Sequence, residues 1–228
     1  MNANIFEKTN QIIRTCVDAY FGVIDEGGCP SVSTVTVIKP ENIFEVHFST
    51  GLCSNKVKRL QSDNRASICF HAGGDNITLV GEAEILTDQE TKSRFWMGWL
   101  EHFSGGETDP NYCIIKFTTK RMSLWVDNES AELTLPDLLS VQSYCGCICD
   151  GCEHKESHGC KGCFANKGNQ FWGECDLAKC CIEKGYTHCG ECPDIPCETM
   201  RNMADDDNPK GTRIVVCRAW AKYKAVAK

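Results

Sequence analysis

The chain has 228 residues, 42% of them hydrophobic, and its 24 Lys and Arg against 31 Asp and Glu leave a net charge of −7. That length and apolar content exclude general disorder and suit one mid-sized domain followed by a small one, and the acidic balance gives no reason to expect nucleic acid as a partner. Of 18 cysteines, twelve fall in residues 145–197 and six are scattered over the rest.

Residues 4–15 place Ile5, Phe6, Ile12 and Ile13 at helical spacing, which predicts an amphipathic N-terminal helix. The period then changes. Residues 17–24 read as a strand ending at the turn Asp25-Glu26-Gly27-Gly28, and residues 32–38 (VSTVTVI) as a second, rich in β-branched side chains and stopped by Pro40. Further strands are predicted at 43–49, 66–71, 77–86, 112–117 and 122–126. Two helices interrupt them, 54–62 with Ser54 as cap and 88–103 with Asp88 as cap, the latter carrying Phe95, Trp96, Trp99, Leu100 and Phe103 and ended by Gly105-Gly106. A short linker is predicted around Pro136, giving a first domain over 1–135 and a second over 136–228. The fold class is mainly β with flanking helices (α+β), seven strands forming a closed or partly closed antiparallel barrel, followed by a small domain that needs staples.

The opening MNANIFEKTNQIIRT lacks the order of a secretory leader, and no apolar run approaches the ~20 residues that cross a bilayer. A cytoplasmic location without a membrane partner is therefore expected. In a reducing compartment a dense cysteine block points to metal rather than to disulfides. Cys145-x3-Cys149-x2-Cys152, Cys160-x2-Cys163, Cys175-x4-Cys180 and Cys189-x2-Cys192-x4-Cys197 supply these ten as candidate ligands, because a CxxC turn aims two sulfurs at one tetrahedral ion. Zinc is the expected metal. Iron or an iron–sulfur cluster is the alternative and would add electron transfer. Cys181 is read as spare.

In the first domain the informative stretch is FSTGLCSNK, residues 48–56, where a strand gives way to a helix. Ser49, Thr50 and Ser54 offer hydroxyls and Lys56 a cation, the groups a phosphate needs at a helix start. His47 and His71 lie in strands and read as packed or exposed strand residues rather than acid–base groups. No Ser-His-Asp, paired-carboxylate or HExxH arrangement points to hydrolysis.

Together with DEGGCPSVSTVTVIK, NITLVGEAEILTD and DPNYCIIKFTTKRMSLW, that stretch resembles the pyridoxamine 5′-phosphate oxidase-like split barrels, in their general stress protein and nitroimidazole-resistance-like branch. The resemblance implies a homodimer binding flavin mononucleotide (FMN) between subunits. Phosphate and ribityl contacts would fall to Ser49, Thr50, Ser54, Asn55 and Lys56. The strand with Ser33, Val35 and Thr36 would lie along the isoalloxazine, and Asn76 near the ring. Where the oxidase carries Arg, Lys and Arg, this chain has Ser33, Ile38 and Asn55, so pyridoxamine phosphate is not the expected substrate. The function implied is FMN-dependent reduction or oxidation of a small molecule with a small-molecule electron donor; the alternatives are a non-catalytic flavin- or haem-sensing module and a flavin coupled to an iron–sulfur relay. Residues from YCGCICDGC to HCGECPDIPC resemble a family of small cysteine-rich domains that implies no reaction.

Overall fold

The computed structural model describes residues 5–38, 40, 43–149, 152–202, 212–224 and 226–227. Helix α1 (Ile5–Thr15) forms as its period implies, with Ile5, Phe6, Ile12 and Ile13 buried along one face. Six strands then build the barrel: β1 (Asp18–Ile24), β2 (Pro30–Ile38), β3 (Glu45–Gly51), β4 (Arg65–Ala72), β5 (Asp75–Leu86) and β6 (Tyr112–Val126). They run in the order β3-β2-β1-β4-β5-β6, every pair antiparallel, and β6 also pairs with β3, which closes the ring.

Alternation along each strand sends one set of side chains inward. Ala19, Phe21 and Val23 of β1, Ala66, Ile68 and Phe70 of β4, and Ile77, Leu79 and Ala83 of β5 are buried. The rings of Phe21, Phe48 and Phe117 meet edge-on, at 4.7 Å for the first two and 6.5 Å between Phe21 and Phe117. Each such buried side chain contributes about 1.5–3 kcal/mol, so the barrel is held chiefly by this aliphatic and aromatic filling.

Strands 112–117 and 122–126 are in fact one strand, the fifteen-residue β6. The polar run Thr118-Thr119-Lys120-Arg121 looks like a turn but is a bulge: Val80 pairs with Arg121 and Gly81 with Thr119, leaving Lys120 as the extra residue. Gly81 is required there, because a Cβ would lie 1.9 Å from the Thr118 carbonyl oxygen. A further strand, β7 (Glu129–Thr134), follows a two-residue turn in which Asp127 and Asn128 both have positive φ (54° and 61°), the geometry of a tight hairpin.

The helices differ from expectation in extent. Helix α2 (Asn55–Ser62) starts one residue past its cap Ser54. The span 88–103 is not continuous: α3 (Gln89–Arg94), capped by Asp88, stops at Phe95, Met97 is extended, and a single 3-10 turn covers Gly98–His102. The break lets Leu100 join Ile38, Tyr112 and Ile114 in a buried cluster, with Phe95, Trp96 and Met97 packed around it. Pro136 lies in a short helix, α4 (Leu135–Leu139), whose Thr134 and Asp137 side chains cap it reciprocally, rather than in a linker.

The chain divides into two compact units, residues 7–132 and residues 1–6 with 133–228. The second contains α4, β8 (Ser140–Val141), α5 (His154–Ser157), β9 (Asn169–Gln170), β10 (Gly173–Glu174), α6 (Asp176–Lys184), α7 (Glu198–Asn202), α8 (Thr212–Tyr223) and β11 (Val226–Ala227), which pairs with β8 in parallel. Its apolar centre is Trp220, fully buried, with Nε1 donating to the Asp137 carbonyl at 2.6 Å. Among the described residues, no helix is long and apolar enough to cross a membrane.

Candidate functional site

A cavity of about 260 Å³ opens on the outer wall of the barrel unit. Strand β2 contributes Thr34, Val35 and Thr36, β3 contributes Ser49, Thr50 and Gly51, and α2 contributes Lys56. Trp99, Leu100, Phe103 and Ser104 come from the 3-10 segment, and Asp109, Asn111 and Tyr112 from the entry to β6.

Asn111 ties these pieces together. Its carbonyl accepts from Leu52 N–H at 2.7 Å and its Oδ1 from Cys53 N–H at 3.0 Å. Gly51 leaves room for the contact, since a Cβ there would lie 2.9 Å from Asn111 Nδ2. Thr50 Oγ1 donates to Ser54 Oγ at 3.4 Å, and Lys56 Nζ reaches Thr50 Oγ1 at 3.5 Å. The strand-to-helix loop is thereby fixed, with its hydroxyls and single ammonium gathered at one end.

The opposite wall is braced by Asp109, whose carboxylate accepts from Gly105 N–H and Asn111 N–H at 2.8 Å each. Those two bonds hold its carboxyl below the usual range, so this carboxylate is committed to the loop. Lys92, buried, donates to the Asp109 carbonyl at 2.7 Å and lies 5.6 Å from the Tyr112 ring centre. The Tyr112 hydroxyl is buried with no hydrogen-bond partner, and burial pushes its pKa up to about 12. It remains a neutral donor facing the cavity residues. Trp99 and Phe103 form an edge-on pair at 6.2 Å and are 37% and 80% exposed. The lining thus combines groups suited to an anion with an aromatic pair suited to a flat apolar surface.

Of the nine residues predicted to hold a cofactor, Val35, Thr36, Ser49, Thr50 and Lys56 line this cavity. Ser54 stands behind Thr50 as its hydrogen-bond partner. Asn55 is exposed on α2 and does not line it. Ser33 is half-buried on β2, one residue beyond the stretch Thr34–Thr36 that lines the cavity, and is also outside the lining. Asn76 lies on β5, where it donates to Cys69 Sγ at 3.4 Å and accepts from Thr78 Oγ1 at 3.1 Å. The residues missed are Thr34, Trp99, Asp109, Asn111 and Tyr112. The turn signal Asp109-Pro110-Asn111 before a strand was the available clue to three of them. His47 is half-buried and stacks on Phe95 at 4.3 Å, and burial lowers its pKa, so it is a packing residue.

Beside the cavity Val32 and Thr34 of β2, Tyr20 of β1, Ser67 and Cys69 of β4, and Thr78 of β5 share the outer face of the barrel by register, bordered by Asp18, which accepts from Thr36 Oγ1 at 2.9 Å. Tyr20 and Val32 are 53% and 65% exposed.

The cysteine block behaves differently from its spacing. Cys145, Cys163, Cys175 and Cys189 are buried, Cys149, Cys152, Cys160, Cys192 and Cys197 half-buried, and Cys180 exposed, all as free thiols. CxxC turns do form, with Cys152 N–H donating to Cys149 O at 3.3 Å and Cys192 N–H to Cys189 O at 3.0 Å. Yet among the described residues no three or more Cys, His, Asp or Glu side chains converge where they could hold a metal ion. Among the described residues the thiols do not gather into the zinc or iron–sulfur centre that the spacing implied. The physical reason is visible on α6, where the adjacent Cys180 and Cys181 diverge. Cys180 faces solvent, while Cys181, read as spare, is buried with Sγ 3.4 Å from Cys189 Sγ.

A closed antiparallel barrel with a hydroxyl-lined, one-lysine cleft on its outer wall is a split-barrel protein. Residues 6–140 match the family described as pyridoxamine 5′-phosphate oxidase like, and the chain belongs to that family. Residues 141–202 match a protein family of unknown function, DUF3795. Among solved structures, a protein related to general stress protein 26 from Clostridium acetobutylicum is similar with a TM-score of 0.55 and 21% identity, over 60% of this chain and 99% of that one. General stress protein 26 from Bacillus anthracis is similar with a TM-score of 0.50 and 21% identity, over 57% of this chain and 100% of that one. No curated protein matches the chain.

Proposed function

We propose that the barrel unit binds FMN and acts as an oxidoreductase on a small molecule, as a homodimer. The observation that carries this reading is the mixed lining of the cleft: Lys56 with the Ser49 and Thr50 hydroxyls, the aromatic side chains of Trp99 and Phe103, and a buried Tyr112 hydroxyl without a partner. That combination suits an aromatic ring system joined to a phosphate. Lys56 and Thr50 would hold the phosphate, Thr34 and Thr36 would meet the polar edge of the ring or its chain, and Tyr112 would donate one hydrogen bond. When bound, the flavin supplies hydride or single-electron transfer. The protein's part is to fix it, exclude water from one face and leave the other open.

A cavity of about 260 Å³ is small for a whole flavin mononucleotide. The exposed Tyr20 and Val32 on the neighbouring outer face would give a second copy a surface on which to complete the site. The test is to titrate purified, flavin-free protein with FMN, following flavin fluorescence and sedimentation, and then to add a nicotinamide donor. Stoichiometric binding to a dimer with bleaching by the donor supports the proposal. Absence of FMN binding refutes it, and binding without bleaching would favour a sensing role.

A further inference from the structure

Cys181 and Cys189 are brought together by local backbone geometry rather than by their spacing. Helix α6 ends at Gly185 in the left-handed conformation (φ 70°), with the Tyr186 N–H donating to the Cys181 carbonyl at 2.8 Å, so the chain doubles back beneath the helix. The returning segment is anchored by Cys189 N–H to the Tyr144 carbonyl at 2.7 Å. It is wedged by Gly190, where a Cβ would lie 2.0 Å from the Cys217 carbonyl oxygen. The two sulfurs end 3.4 Å apart, on residues 2% and 8% exposed. A disulfide brings them to about 2.05 Å. Cys145 and Cys217 stand near enough to act electrostatically on Cys189, but among the described residues no group of three or more Cys, His, Asp or Glu is placed to hold a metal ion, and Cys181 and Cys189 are the two sulfurs in contact.

We propose that Cys181 and Cys189 form a reversible dithiol–disulfide pair whose oxidant is a small hydroperoxide. One sulfur, as thiolate, attacks a peroxide oxygen; the O–O bond breaks, an alcohol (water for hydrogen peroxide) leaves, and the sulfur becomes a sulfenic acid. The second sulfur attacks the first, the S–O bond breaks, the S–S bond forms and water leaves. Two thiols and one hydroperoxide yield one disulfide, one alcohol and one water; the two electrons pass from the sulfurs to the peroxide oxygens. Burial selects for an oxidant small enough to enter, in contrast to the exposed Cys29, Cys53 and Cys180.

The full-length reduced protein is treated with hydrogen peroxide, denatured, alkylated and digested with trypsin. Cleavage after Lys179, Lys184 and Arg201 separates Cys181 (peptide 180–184) from Cys189 (peptide 185–201). The expected product is these two peptides joined, lighter by two hydrogens and parted by reductant. The link should persist in Cys180→Ser and Cys192→Ser and vanish in Cys181→Ser. No link in the wild-type chain, a link lost in Cys180→Ser, a link to Cys145 or Cys217 instead, or a link that forms only after a chelator has stripped bound metal would each overturn the proposal. Fragmentation of the joined wild-type peptides, which hold Cys180 and Cys181 on one side and Cys189, Cys192 and Cys197 on the other, must place the bond between Cys181 and Cys189. A bond placed at Cys192 or Cys197 overturns the proposal, and this reading does not rely on any variant folding.

Discussion

Lys56→Ala removes the one cation among the described side chains that line the cleft. Lys56 is half-buried, and its Nζ sits within reach of Thr50 Oγ1 at 3.5 Å, so the ammonium is already directed to the hydroxyl end. A charge-assisted hydrogen bond to a phosphate is worth roughly 1.5–3 kcal/mol. At about 1.4 kcal/mol per tenfold, the FMN dissociation constant should rise roughly 10- to 150-fold, toward the lower end because solvent screens a half-buried charge. Riboflavin has the same ring and ribityl chain without the phosphate, so its affinity should barely change, and the preference for FMN over riboflavin should collapse. Fluorescence titration of both ligands against both proteins measures this directly, and raised salt should weaken FMN binding to the wild type more than to the variant. An unchanged FMN constant, or FMN and riboflavin weakened in equal proportion, would refute the placement of the phosphate at Lys56.

Gly81→Ala forces a Cβ to within 1.9 Å of the Thr118 carbonyl oxygen; overpacking costs roughly 1–3 kcal/mol, and the urea midpoint should fall accordingly. His47 makes the barrel pH-sensitive in a definite direction. Burial depresses its folded pKa below the ordinary value of 6.5, so the unfolded chain takes up the proton first as pH falls, and stability is present above that value and declines beneath it. Urea midpoints measured on either side of about pH 6.5 should show that decline in the wild type and a smaller one in His47→Phe, which keeps the stack on Phe95.

The barrel was legible where alternation was clean. Phe21, Ile68, Phe70, Ile77 and Leu79 sit on strands bounded by obvious turns, and each occupies the interior as its period implies. The strand-to-helix loop that lines the cavity was legible too, because a strand end, three hydroxyls and a lysine fall within eight residues. Continuity of β6 was hidden, since a bulge and a turn draw on the same polar residues. Asn111, Tyr112 and Trp99 were hidden for a different reason: they reach the loop at 49–56 only because barrel closure folds distant chain against it. In the cysteine block, spacing predicted the CxxC turns but not which sulfurs meet, because the left-handed Gly185 and the crowding at Gly190 decide that.

Strand β6 carries an implication for how the molecule is made. It pairs with β3 from Glu45–Thr118 to Gly51–Tyr112, joining parts of the chain more than sixty residues apart, so closing the ring is the step with the highest loop-entropy cost and comes late in folding. Until then β3 is an open edge. The cleft has one wall on β2 and β3 and the other at the entry to β6; it does not exist before that step. A ligand held there binds only the finished ring, so it slows reopening without speeding assembly, and it keeps the β3 edge from being exposed again rather than shielding it before closure.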